Sequence, residues 1–330
     1  MNSYELKHPP IFIGGVQRAG TTLLVKMLSK NTAVSFLPQE THLFPLLWNT
    51  SGHLKGFRSP EELSNYLGQN LPAVNYGWVN AKGFLTKLCD AIKEQQFLPA
   101  TTEDLLAFIL KLWEQEQPLD VIVGEKTPAH VYYARKKLKE FPKCKMVLMC
   151  RDPRAAALSE LIKLQNNTRV ERDFSVFTFI VRWATAVAVS RQLANRDQVI
   201  FIRYEDLIIE PEATLKKVTE FLGIAYHKEM LDVGVTNSSF QDTKQKGISF
   251  NEANLSRWET ELPSDLIALI NYHLKEEMIN LGYAIKENAH PNIKRSQLLK
   301  QRIKLAVAKR VALVAPALFH HLNRNKKYRN

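Results

Sequence analysis

Residues 11 to 28, IFIGGVQRAGTTLLVKML, limit the fold more than any other part of the chain. Ile11 to Val16 is an apolar run of the buried-strand type that ends in glycines, and Thr21 to Leu28 carries apolar side chains at helical spacing. A strand that enters a helix through a glycine-rich turn aims successive N–H groups and the positive end of a helix dipole at one point. That geometry makes an anion site. The glycines let the backbone approach an oxygen closely, Thr21 and Thr22 add hydroxyl donors, and Arg18 adds a cation.

Further strands are expected at Ala33 to Leu37, Val121 to Val123, Lys145 to Cys150 and Val199 to Ile202. Helices are expected at Pro153 to Gln165, Phe174 to Asn195 and Pro211 to Leu222. Ser59-Pro60-Glu61-Glu62 reads as a helix start with a capping box, so residues 60–118 form a helical insertion between strands. Strands alternating with helices imply an α/β fold, a parallel β-sheet flanked by helices with its ligands at the carboxyl ends of the strands.

Charge separates the chain into two parts. The 330 residues carry a net charge of +12, yet residues 288–330 hold eleven Lys and Arg and no Asp or Glu, leaving 34 basic and 33 acidic groups before them. We therefore expect a catalytic domain over residues 1–290 and a basic, helical tail over 291–330. The first ten residues lack the apolar core of a secretory leader, and no apolar stretch is long enough to cross a bilayer. Cys89, Cys144 and Cys150 are too few for a disulfide framework or a thiolate metal site. The expectation from these features is a cytoplasmic protein, with peripheral attachment at the inner membrane face as one option for the tail.

Gly15 and Gly20 match the glycine spacing of the nucleotide-triphosphate loop G-x-x-x-x-G-K-[ST], but Thr21 stands where that loop has its lysine. The missing lysine argues against a P-loop kinase or ATPase. With Arg18-Ala19-Gly20-Thr21-Thr22 in that place, the segment resembles the 5′-phosphosulfate loop of the sulfotransferases that use 3′-phosphoadenosine-5′-phosphosulfate (PAPS), and is most similar to the tyrosylprotein branch, which has Arg where others have Lys. Gln17 and Ala19 depart from that branch, which has Pro and Ser there. The resemblance implies a P-loop-like sulfotransferase fold and a donor loop of Gly15, Arg18, Ala19, Gly20, Thr21 and Thr22. Arg151 and Ser159, eight residues apart across a strand end and the next helix, match the pair that holds the 3′-phosphate. Tyr204 in Tyr204-Glu205-Asp206-Leu207 either contacts the adenosine or packs at its strand end. Gly247 to Trp258 is similar to the late lid of the family, and Ser256 within it matches a reaction-centre serine or, read locally, a helix cap.

Sulfuryl transfer to a hydroxyl needs a base for the acceptor proton and cations for the charge that develops on the leaving phosphate, and it requires no metal. Lys126 in Val123-Gly124-Glu125-Lys126-Thr127-Pro128 matches the family's strand-end lysine, and Arg18 is the second cation. Pro128 occupies the place of the histidine base of phenol and steroid sulfotransferases, and His130 does not align with it. Pro38-Gln39-Glu40-Thr41-His42 resembles the segment that carries a glutamate base in the tyrosylprotein and heparan-type branches, so Glu40 is the expected base, with its pKa raised by desolvation.

The resemblance implies a sulfotransferase that takes PAPS as donor, releases 3′-phosphoadenosine 5′-phosphate, and acts on a hydroxyl of a peptide tyrosine, a carbohydrate or a lipid-linked acceptor. His42 stands where the tyrosylprotein branch has an arginine that holds acidic peptide; animal enzymes of that branch belong to the secretory pathway. The basic tail is compatible with an anionic membrane surface or with a solvated or partner-docking helix, and less with nucleic acid, since only Phe319 and Tyr328 could stack on bases. A homodimer is compatible with the sequence. The rivals are a P-loop nucleoside-phosphate kinase or ATPase and a non-catalytic nucleotide-binding adaptor.

Overall fold

In a computed structural model the described residues are 5–47, 56–74, 77–118, 120–165, 175–233, 252–285, 291 and 293–314. Five strands form one sheet: β1 (Ile11–Gly15), β2 (Val34–Phe36), β3 (Ile122–Lys126), β4 (Lys145–Cys150) and β5 (Val199–Arg203), in the order β2-β3-β1-β4-β5 and all parallel. All five strands expected from the sequence are present. The register sets Ile13 beside Lys126 on one side and Val147 on the other, so the carboxyl ends of β1, β3 and β4 finish at one level. β1 and β4 are almost wholly buried, as the apolar runs of a doubly covered parallel sheet require.

Between β1 and β2 runs α1 (Thr21–Leu28), which buries Leu24, Met27 and Leu28. The crossover from β2 to β3 contains residues 60–118 and begins before them. It holds α2 (Leu43–Leu47), α3 (Pro60–Val74), α4 (Gly77–Asn80), α5 (Lys82–Glu94) and α6 (Thr102–Gln115). Ser59 accepts from Glu62 N–H at 3.2 Å as expected, although the Glu62 carboxylate reaches the N–H of Arg58 rather than that of Ser59. A complete capping box, unforeseen from the sequence, starts α6, where Thr101 and Asp104 exchange side-chain and backbone hydrogen bonds. The remaining crossovers are α7 (His130–Glu140), α8 (Pro153–Gln165) and α9 (Val176–Leu193).

Beyond β5 come α10 (Tyr204–Ile209), α11 (Pro211–Leu222), α12 (Ala253–Ser256), α13 (Trp258–Glu261), α14 (Ser264–Asn280) and α15 (Arg295–Val314). Proline at the first position of α11 and left-handed Gly223 after its last residue fix both its ends. Of the tail, α15 is the part that is described, residues 315–330 lying outside the described residues; it lies against α9 with Leu298, Leu305 and Ala312 buried. The first part of the lid segment, 247–251, lies outside the described residues, which resume at 252.

Candidate active site

Gly15 ends β1 with φ +139°, and a Cβ there would lie 2.0 Å from the Met149 carbonyl oxygen, so β4 forbids any side chain. The chain then turns through Arg18 (φ 66°) and Gly20 (φ 81°) into α1, whose first turn has no side-chain cap. The N-terminal N–H groups of α1 are therefore presented as the sequence implied. Gly20 is required from outside as well, because a Cβ would meet the Tyr204 ring at 2.3 Å.

Arg18 swings across the loop and donates from Nε to Ser159 Oγ at 3.0 Å. Arg151, at the end of β4, stacks its guanidinium 4.4 Å from the centre of the Tyr204 ring and donates to the carbonyls of Arg18 (3.4 Å) and Asn254 (3.1 Å). Arg151 and Ser159 are both buried, and Arg151 Nε has no hydrogen-bond partner among the described residues. A buried guanidinium with an unused donor is suited to an anion. The structure thus gathers Arg18, Arg151, Ser159 and Tyr204, which the sequence spreads over almost two hundred residues, around the end of the glycine loop. Asp152 and Arg154 form a bidentate pair behind them, and Glu205 accepts from Asp152 N–H (2.9 Å) and from the Tyr283 hydroxyl (3.0 Å), which fixes the strand end.

On the other side of the loop, Lys126 at the end of β3 donates to Thr22 Oγ1 at 3.1 Å and to Glu40 Oε1. The second Glu40 oxygen is 2.9 Å from His42 Nε2, and the Glu40 carbonyl accepts from the buried Trp78 indole N–H at 3.0 Å. Trp78 belongs to α4, so the insertion anchors the loop that carries Glu40. Burial pushes the Glu40 carboxyl up, but the His42 hydrogen bond and the Lys126 charge together outweigh it and hold the group at about 2. The expected upward shift is not present; the local cation and histidine reverse it.

Directly behind this pair lies a cluster that the sequence reading missed. Glu125 is wholly buried, and its Oε1 accepts from Thr41 N–H (3.1 Å), Thr41 Oγ1 (3.1 Å) and Thr127 Oγ1 (2.5 Å), while its Oε2 meets His130 Nε2. Thr41 follows Glu40 and Thr127 follows Lys126, so one carboxylate ties together the two segments that bring base and cation into contact. Burial raises the Glu125 carboxyl and lowers His130 well below the usual imidazole range. Lys137, also wholly buried, sits over the rings of Phe12 (4.5 Å) and Phe44 (4.3 Å), and burial pushes its amine down to about 8 against the pull of Glu125. No single segment signals the cluster: the strand expected at Val121 to Val123 stops short of Glu125, which the structure places inside β3.

His130 faces this interior cluster, in keeping with its failure to align as a base. Lys163 was also missed; exposed one turn along α8 from Ser159, it is lowered by partial desolvation and by the charge of Arg18, and feels Glu40 and Lys126 as well. Ser256 is not brought to the centre. It is exposed at the end of α12, and no hydrogen bond joins it to Glu40, Lys126 or Arg18 among the described residues. No group of His, Cys, Asp and Glu that could hold a metal occurs among the described residues.

The family model described as "Sulfotransferase family" matches residues 9–228. Protein-tyrosine sulfotransferase 2 of Gallus gallus is 26% identical over 297 residues, spanning 85% of this chain and 71% of its own length. Protein-tyrosine sulfotransferase of Drosophila melanogaster is 24% identical over 278 residues, spanning 80% of this chain and 50% of its own length. Among solved structures, the sulfotransferase domain from the Synechococcus PCC 7002 olefin synthase superposes with a TM-score of 0.55 at 18% identity, over 86% of this chain and 98% of that one. These relatives correct the expected cytoplasmic location, including attachment at the inner membrane face. They belong to the branch whose animal enzymes work in the secretory pathway, and neither a missing leader pattern nor a low cysteine count outweighs that kinship. No described helix is long and apolar enough to cross a membrane.

Proposed function

The chain belongs to the sulfotransferase family, and from that premise we propose that it transfers the sulfuryl group of PAPS to the hydroxyl of a peptide tyrosine. The observation that carries this reading is the contact of Lys126 with both Glu40 and Thr22, which sets a base and a cation at the mouth of the anion loop. A P-loop kinase or ATPase lacks support on the same ground, since Thr21 fills the place of its phosphate-bridging lysine and is buried.

The residues present fit the donor. The N–H groups of Gly20, Thr21 and Thr22 with the Arg18 guanidinium suit a 5′-phosphosulfate; Arg151, with its unused Nε donor, and Ser159 suit the 3′-phosphate. The face of Tyr204, held between Gly20 and Arg151, suits the adenosine. When bound, PAPS supplies the sulfuryl group and departs as 3′-phosphoadenosine 5′-phosphate. Glu40 takes the acceptor proton, and Lys126 and Arg18 offset the negative charge that grows at the leaving side. Because Glu40 and Lys126 share a hydrogen bond, movement of Lys126 towards that growing charge strips Glu40 of a stabilising cation and raises its basicity when a base is needed.

His42 bonds Glu40 and so serves the base, leaving Lys163 beside Arg18 as the cation best placed for an acidic acceptor. Residues 1–290 act as the catalytic unit and 291–330 as an accessory segment; dimerisation is compatible with this division. Incubation with sulfur-labelled PAPS and a tyrosine peptide flanked by acidic residues is the direct test. Label should appear on the peptide and be lost when the tyrosine is replaced by phenylalanine. Label on a carbohydrate or lipid-linked hydroxyl alone would overturn the acceptor, and no transfer to any hydroxyl, or Mg-dependent ATP turnover, would overturn the reaction.

A further inference from the structure

Helix α15 carries two apolar stripes, not one. Leu298, Leu305 and Ala312 are buried against the body. On the opposite side Leu299, Ile303, Val307 and Val314 are exposed, at 60%, 56%, 54% and 86% of their surface. Their spacing of four, four and seven residues puts them on one face, extending over about 22 Å at the α-helical rise. Exposed Arg295, Lys300, Arg302, Lys304 and Arg310 flank or interrupt that face, whereas Lys309 is occupied by Glu277 of α14. The sequence from 288 to 330 contains no acidic side chain to neutralise them.

We propose that this outward face of α15 is a docking surface for anionic lipid, with the four apolar side chains entering the headgroup boundary and the surrounding cations reaching lipid phosphates. Short apolar side chains bordered by Lys and Arg are what an interfacial helix needs, since the long cationic stems can extend sideways to the headgroups. Charge complementarity selects this occupant over two others. A second copy of the chain, packed symmetrically, would press each row of cations against an identical row. Nucleic acid would satisfy the cations but would leave the central Leu-Ile-Val stripe in water, and no aromatic side chain of α15 is available to stack on a base. The proposal is independent of the chemistry at the glycine loop.

The test is flotation of the full chain with vesicles of phosphatidylcholine, alone or mixed equally with phosphatidylglycerol. Binding should be at least about tenfold tighter to the mixed vesicles and should weaken with salt, as several cation contacts imply. Two sets of exposed substitutions separate the two contributions: Leu299→Ser with Ile303→Ser, and Lys300→Gln with Arg302→Gln and Lys304→Gln. Each set should lower binding to mixed vesicles at least about tenfold, while the melting temperature and the rate of sulfuryl transfer stay at wild-type values. Equal binding to neutral vesicles, no flotation, or full binding by the Ser pair would each overturn the proposal. So would a duplex oligonucleotide that binds wild type and the Ser pair equally and strips the protein from vesicles, or a dimer that the Ser pair dissolves.

Discussion

Replacing Glu125 separates two things this buried carboxylate does: it accepts three hydrogen bonds, and it sets a negative charge near Lys137. Glu125→Ala removes both. Thr41 N–H and the hydroxyls of Thr41 and Thr127 then lose their acceptor in the interior; at about 1–3 kcal/mol per unsatisfied group, with hydroxyls free to rotate and so at the low end, the loss is about 3–5 kcal/mol. Glu125→Gln keeps a carbonyl oxygen for the same three donors, turns an amide N–H towards His130 Nε2, which a neutral imidazole can accept, and removes the charge. The penalty from Lys137 is then capped, because that amine already sits at about 8 and can shed its proton at pH 7 for roughly 1 kcal/mol, one pKa unit. The sign follows from linkage. Between the lower Lys137 pKa of the Gln variant and about 8, folded wild type holds a proton that the folded variant does not. The stability gap therefore narrows as pH rises and closes above about 8. Urea denaturation of wild type and both variants at pH 7 and pH 9 measures this. The Ala loss should be several times the Gln loss at pH 7 and should persist at pH 9, where the Gln loss should nearly vanish. Equal losses in the two variants, or a Gln loss that grows at pH 9, would refute the division of roles.

Three further outcomes follow from the site. Glu40→Gln should lower turnover by about 10²–10⁴, the usual worth of a general base, and leave the affinity for 3′-phosphoadenosine 5′-phosphate unchanged by calorimetry; near-normal turnover would remove Glu40 from the base role. Arg151→Ala should weaken PAPS by about 10–100-fold, the loss of a charge-assisted hydrogen bond, while adenosine 5′-phosphosulfate, lacking the 3′-phosphate, is little affected; equal weakening would count against the 3′-phosphate assignment. Gly20→Ala drives a methyl into the Tyr204 ring and should loosen nucleotide binding in a folded protein, whereas Gly15→Ala meets the β4 backbone and should prevent stable folding. Comparable melting temperatures for the two alanine variants would contradict that distinction.

The parts of the fold and site that were legible in sequence are those encoded locally. Ile11–Gly15 and Lys145–Cys150 announce themselves as buried strands by unbroken apolar runs, and the glycine loop by residues that only an anion-binding turn needs together. The Glu125 cluster was illegible because each member looks ordinary in its own segment; only the pairing of β1 with β3 and the packing of α7 on β1 bring Thr41, Thr127, His130 and Lys137 around one carboxylate. The electrostatic state of Glu40 was misjudged for the same reason. Desolvation can be guessed from sequence, whereas the opposing contacts with His42 and Lys126 depend on a loop conformation in which His42 takes φ 48°. In α15 cations interrupt the outward face and apolar stripes on opposite sides cancel in any average taken over the whole helix, so neither stripe stands out in the sequence.

The placement of β1 at the centre of the sheet has a consequence for how the chain is made. Both neighbours of β1 come much later, β3 ending at Lys126 and β4 at Cys150. At about 5–20 residues per second, a ribosome needs roughly 7 to 27 s after Gly15 to deliver the second of them. Until Lys126 is made, Ile11, Phe12 and Ile13 have no partner on either edge, and until Cys150 is made the β4 edge stays open, so the turn they support lacks part of what defines its shape. The anion loop is thus encoded early and assembled late, and during synthesis its strand is the segment most in need of protection from other chains.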